Sequence, residues 1–177
     1  MEERVIALES LQQGIAALQR GEFTAAKELL DRSCNLFLSM EDAFHLSHAY
    51  SGLGNWNRQT SNTIGAFQCY EKAGDYAATV FQQSGECFAV SLHMRAVLYA
   101  EAGKLLEAFL LLKHAATVYE ITASPQVNDV KTMISRIERR FGAQQAALLA
   151  SSWQSYQQAL DEAAQRQLRS VSLNLSN

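Results

Sequence analysis

The chain has 177 residues, of which 48% are hydrophobic and 19% are charged, a balance that predicts one globular domain with a sizeable core. Its net charge of −3 excludes a strongly basic nucleic-acid-binding surface, and glutamines and serines interrupt the uncharged stretch Phe141 to Leu160, which therefore cannot span a bilayer. The three cysteines are far apart, which favours reduced thiols in a cytoplasmic protein over a disulfide framework or a zinc site.

Apolar residues recur at intervals of three and four along the chain, and alternating β-branched runs are absent, which predicts an all-α fold. The first helix has its apolar face between Val5 and Leu18 and ends at Gly21, a residue suited to a left-handed C-cap. The second helix follows directly from Phe23. The third helix is expected from about Glu41 to Asn57.

The fourth helix is predicted to start near Ser61 or Asn62, both good N-cap residues. Its end is ambiguous, because Gly74 is compatible with a turn, whereas the apolar pattern continues to about Ser84. We favour a long or broken helix over a turn at Gly74. Two further helices are expected at about Glu86–Ala102 and Lys104–Ile121.

A Ser124-Pro125 pair then marks the start of a new helix, with serine as N-cap and proline in the first turn. This helix should end at Gly142. Its apolar stripe is suited to stacking on the preceding helix, and consists of Val127, Val130, Ile134, Ile137 and Phe141.

The last predicted helix has a second stripe that includes Trp153 and Tyr156, and its outward residues are mainly glutamine and serine. We therefore assign residues 1–121 to helical hairpins and residues 122–169 to a C-terminal capping hairpin of the same domain. Residues 170–177 have weak helix propensity, and we expect them to fray.

Three groups of residues repeat along the first part of the chain with steps of 40 and 42 residues. Small residues in the first helix of each hairpin should allow close approach of the second helix, and bulky residues should fill the space between hairpins. The small residues of the first helices are Gly14, Gly54 and Ala96, and those of the second helices are Ala26, Ala66 and Ala108. The bulky residues are Leu30, Tyr70 and Leu112.

This pattern resembles the tetratricopeptide repeat, in which a small residue, a turn glycine, an aromatic residue and an alanine follow in fixed order. The segment GIAALQRGEFTAAKELL is a good match, and AVLYAEAGKLLEAFLLLKHA is a fair one, with Leu105 in the aromatic position. In the middle copy Ser61 occupies the place of the glycine. The steps exceed the family's length of about 34 residues, which indicates longer helices.

The resemblance implies a right-handed α-α superhelix of about three degenerate hairpins followed by the capping hairpin. It also implies a non-catalytic adaptor or scaffold that docks a helix or another helical protein in a larger assembly. The phrase Cys-Tyr-Glu-Lys-Ala-Gly-Asp-Tyr at residues 69–76 is similar to the soluble NSF attachment proteins, so a vesicle-trafficking factor is the alternative. A helical ligand-binding protein or an enzyme is the third reading, and oligomerisation is left open.

In that family the inner groove is lined by the first helix of each hairpin. In the first hairpin these positions are largely apolar and would accept an amphipathic helix, either from a partner or from the final helix of this chain, which we favour. The positions of the first hairpin are Leu8, Leu11, Ile15, Leu18 and Gln19. The candidate partner-binding residues of the later hairpins are His48, Asn55, Arg58, Gln59 and His93.

Two aromatic residues of the final helix, Trp153 and Tyr156, are further candidates, because they either lock this helix to the body or anchor a partner subunit. One helix face carries a carboxylate and two imidazoles at intervals of three residues, Asp42, His45 and His48. This triplet alone is a weak indication of a metal site. With no phosphate-binding loop and no catalytic triad pattern, we expect neither enzyme activity nor a cofactor, metal or nucleic acid.

Overall fold

The computed structural model describes residues 2–174, with side chains placed except for Gln144 and residues 167–174. Within this range the chain is all-α, as predicted, and it contains eight α-helices and no strand. The helices are α1 (Glu2–Gln19), α2 (Phe23–Ser39), α3 (Ala43–Gln59), α4 (Thr63–Thr79), α5 (Phe81–Glu101), α6 (Leu105–Ile121), α7 (Val127–Phe141) and α8 (Ala146–Asn174), with a short 3-10 turn at Ala143–Gln145 before α8.

Five of the helix connections use the same tight turn. In each turn one residue adopts a left-handed conformation, and the next backbone N–H donates to a carbonyl five residues earlier, as Glu22 does to Ala17 at 2.9 Å. Glycine supplies this conformation at two of the turns and a residue with a side chain at the other three. The left-handed residues are Gly21, Glu41, Ser61, Gly103 and Ala123.

The connection between α4 and α5 departs from this pattern. Here Val80 has φ −128° rather than a left-handed conformation, and Ser84 interrupts the helical geometry inside α5. The prediction that α4 continues past Gly74 is confirmed, but α4 ends at Thr79, before the predicted end near Ser84. Gly74 lies inside α4, where a Cβ would be 2.5 Å from the hydroxyl of Ser91 in α5, so this glycine permits close helix packing.

Each helix from α1 to α6 packs on the next helix along the chain, and α3 also contacts α1 and α5. The predicted small-to-large contacts are present, since a Cβ at Gly14 would be 2.9 Å from Leu30 and one at Gly54 would be 2.5 Å from Tyr70. Leu30 also fills the space beside Gly52 of the next hairpin. Glycine at these positions therefore allows the backbones to approach closely.

The buried apolar residues form separate clusters along the array. One large cluster contains residues of α5, α6, α7 and α8 and includes Leu112 and Tyr119. Another contains residues of α1, α2 and α3 around Leu30 and Phe37. A small cluster of Ala66, Tyr70 and Leu98 connects α4 to α5.

The apolar stripe of α7 packs on α6, as predicted. Val130, Ile134 and Ile137 of α7 are buried against α6, and Leu149 of α8 is only 4% exposed. α8 continues to Asn174, through part of the segment expected to fray, and residues 175–177 lie outside the described residues.

The expectation that the final helix covers the first-hairpin groove is wrong. α8 packs on α6 and α7, at the end of the array away from α1, whose neighbours are α2 and α3. Leu11 and Leu18 are instead buried by these neighbours within the hairpins.

Candidate functional site

The first helix exposes an apolar stripe, which we call the α1 stripe. Val5 is 51% exposed, and Leu8 and Ile15 are each 38% exposed. Intervals of three and seven residues place these side chains on one face of α1, beside the buried face that packs on α2. The sequence pattern placed all three residues on the apolar face of the first helix, but only Leu8 and Ile15 were among the predicted groove positions.

A polar surface, which we call the α3 face, lies on helix α3, and this helix packs against α1. Its members are exposed, and spacings of three, four and seven residues put them on one side of the helix. They are four of the predicted partner-binding residues, His48, Asn55, Arg58 and Gln59.

Two of these residues already have partners within the protein. Arg58 pairs with Glu101 of α5 at 2.7 Å, and the two side chains remain about half exposed. The hydroxyl of buried Tyr70 donates to Asn55 Oδ1 at 2.7 Å, so removing Asn55 would leave a buried polar group unpaired. His48 and Gln59 are therefore the members of this face with the least structural engagement.

The structure does not place His93 on the same surface. Its ring lies between Tyr119 of α6, edge-on at a centroid distance of 6.3 Å, and Met133 of α7, with Nε2 3.3 Å from the methionine sulfur. Burial lowers the pKa of His93, and the negative charge of Asp129 offsets part of that shift. This environment favours a neutral packing histidine.

The two aromatic residues of the final helix are joined to α6. Trp153 stacks on Tyr156 with ring centroids 5.7 Å apart, and Lys113 lies over the indole at 5.6 Å. The Tyr156 hydroxyl is 3.2 Å from Nδ1 of His114. Both aromatic side chains pack against the large C-terminal cluster, far along the array from the α3 face.

The Asp42, His45 and His48 triplet does not converge on one point. His45 Nδ1 is 2.8 Å from Asp42 Oδ2, and the same carboxylate forms an ion pair with Arg4 at 3.2 Å. His48 instead packs edge-on against Phe44. The Asp42 side chain also accepts from the His45 backbone N–H, so its role is to cap α3 and to tie α1 to that helix.

A scan against protein-family models found no match, and a comparison with curated proteins found no significant relative. None of the helices in residues 2–174 combines the length and the apolar character that crossing a bilayer requires. Residues 69–76, on which the predicted resemblance to the attachment proteins rests, lie within α4. The family resemblance, the function and the cytoplasmic location stay predictions.

Proposed function

We propose that the chain is a non-catalytic interaction module whose α1 stripe and α3 face together receive an amphipathic helix of a partner protein. The observation that carries this proposal is the exposure of three large apolar side chains on α1, Val5, Leu8 and Ile15. Aligned apolar residues at helical spacing are the feature by which grooves recognise the apolar face of a helix.

The polar residues beside the stripe supply hydrogen-bonding and charged groups. His48 and Gln59 can form hydrogen bonds with the polar flank of a bound helix, while Arg58 and Glu101 present opposite charges that can exchange partners. Apolar residues on α1 beside polar residues on α3 match the two sides of an amphipathic helix.

The architecture proposed here is a tetratricopeptide-like superhelix with α1, α3 and α5 on its inner side. The contacts of α3 with α1 and α5 and the shared turn geometry support it, as does the equal length of 17 residues in α2, α3, α4 and α6. In such an array the inner surface extends over several repeats and is suited to a macromolecular partner.

The test compares partner proteins that are recovered with three forms of the full chain. The first is the wild type, the second carries Leu8→Glu and Ile15→Glu, and the third carries Leu38→Glu as a matched control on α2, where Leu38 is 51% exposed. Quantitative mass spectrometry measures each partner after affinity purification, and circular dichroism checks that all three forms are folded.

We expect at least one partner to be lost with the double variant and kept with the control. A purified segment of that partner should then gain helical circular dichroism on binding. Equal recovery with all three forms would refute the use of the α1 stripe, and a bound segment without helical structure would refute the helix-in-groove mode.

A further inference from the structure

A separate apolar pocket lies where the start of α4 meets the end of α5 and the start of α6. Its volume is about 340 Å³, at the small end of the range for ligand pockets, so it suits one or two side chains rather than a whole helix. The residues that define it are Ile64, Phe67, Leu98, Tyr99, Ala102 and Lys104.

The walls of this pocket are fixed by packing, whereas its rim is open. Leu98 is 3% exposed and Phe67 packs edge-on against Tyr99 with ring centroids 5.2 Å apart, so the floor is a rigid aromatic and aliphatic surface. Ile64 at the rim is 73% exposed, the largest exposure among the exposed large apolar side chains of residues 2–174. Covering such a side chain with an apolar group removes apolar surface from water, which lowers the free energy.

Positive charge borders the pocket. The Lys104 ammonium lies 5.7 Å from the centroid of Tyr99 and forms no salt bridge with any described side chain. A second cation, the Arg95 guanidinium, lies 4.9 Å from the centroid of Phe67, but it does not line the pocket and it is paired with Glu71 at 3.4 Å. Nε of Arg95 is buried without an acceptor among the described residues.

We propose that this pocket binds a short acidic segment of a partner protein, which inserts one bulky apolar side chain and places a carboxylate beside Lys104. The apolar floor accounts for the inserted side chain, and the unpaired ammonium of Lys104 accounts for the acidic flank. This surface is distinct from the α1 stripe and the α3 face, so the inference does not depend on the helix-binding proposal.

The experiment measures binding of a fluorescein-labelled peptide with one central phenylalanine flanked by aspartates to the full chain, by fluorescence anisotropy. One comparison peptide has serine in place of phenylalanine, and another has lysines in place of the aspartates. The protein variants are Ile64→Asp and Lys104→Glu. Their matched controls are Ile121→Asp, at a site 68% exposed, and Lys72→Glu, whose ammonium lies 5.2 Å from the centroid of Tyr50.

We expect the aspartate-phenylalanine peptide to bind and both comparison peptides to bind at least about tenfold more weakly. Ile64→Asp and Lys104→Glu should each weaken binding by about tenfold or more, which corresponds to about 1.4 kcal/mol, while the two controls bind as the wild type does. Added salt should weaken binding of the wild type.

Absence of binding to the wild type, or equal losses in the control variants, would overturn the proposal. Equal affinity for the lysine peptide would overturn its charge component. Sedimentation of the protein alone provides a further test, because self-association that Ile64→Asp abolishes would identify a second copy as the occupant instead of an acidic partner segment.

Discussion

Introducing glycine at one left-handed turn and removing it from another should change the stability of the protein in opposite directions. Gly21 and Ser61 both have left-handed φ, at 77° and 62°, and no atom lies within 4 Å of a Cβ built on Gly21. A left-handed conformation costs a residue with a Cβ roughly 1–2 kcal/mol, whereas glycine loses about 0.5–1 kcal/mol through its greater freedom in the unfolded chain. The difference is about 0.5–1 kcal/mol in favour of glycine.

We therefore expect Ser61→Gly to raise the free energy of unfolding by about 0.5–1 kcal/mol and Gly21→Ala to lower it by a similar amount. For a chain of this size the corresponding shift in Tm is about 1–4 °C. Glu41→Gly should add to Ser61→Gly, because the two turns lie at opposite ends of α3, about 25 Å apart.

Urea unfolding followed by far-ultraviolet circular dichroism measures these changes. Ser61→Ala is the control, since it keeps the Cβ and removes only the hydroxyl, and it should leave stability nearly unchanged. A destabilised Ser61→Gly protein, or an unchanged Gly21→Ala protein, would show that backbone conformation does not determine the energy of these turns.

Further substitutions test packing and the effects of pH. Gly54→Ala should destabilise by about 1–2 kcal/mol in urea titrations, because a Cβ 2.5 Å from the Tyr70 ring overpacks the interface by more than the gain in helix propensity. Leu149→Ala should cost about 2–5 kcal/mol and lower Tm if α8 stabilises the body, since Leu149 is 4% exposed; an unchanged Tm would contradict the capping role. Burial raises the pKa of Cys34 to about 12, so stability should fall as pH rises above about 9, where the unfolded thiol ionises, and Cys34→Ala should reduce that fall in alkaline urea titrations. Burial lowers the pKa values of His93 and His114, so stability should fall as pH drops below about 6.5, and a double glutamine variant should flatten this dependence.

Sequence patterns predicted most helices because their cause is local. Apolar spacing located the buried faces, and glycine at residue 21 marked a turn correctly. Glu41 and Ala123 adopt the same left-handed conformation without glycine, which the neighbouring helices impose and residue type does not reveal. Gly74 is the opposite case, a glycine that lies inside a helix and leaves space for Ser91 of α5. The sequence alone does not distinguish such a glycine from one that ends a helix.

The candidate sites were predicted less completely, because helix position alone does not show which side chains find partners. The α3 face lies where the pattern placed it, but the bonds that Asn55 and Arg58 make to Tyr70 and Glu101 depend on packing between hairpins. His93 was grouped with that face by repeat position, and the contact of its Nε2 with the Met133 sulfur could not be predicted from α5 alone.

The irregular connection between α4 and α5 has a consequence for how the chain loses its structure. It falls where the clusters around Leu30 and around Leu112 stop, yet α4 and α5 still pack closely across it. The cluster of Ala66, Tyr70 and Leu98 contains residues of both helices, and the Ser91 hydroxyl donates to the Tyr70 carbonyl at 2.6 Å. In arrays where each unit is held by its neighbours, a closely packed junction couples the unfolding of the two units that it joins. Amide hydrogens of α4 and α5 should therefore exchange with similar opening free energies, because opening either helix exposes the buried face of the other.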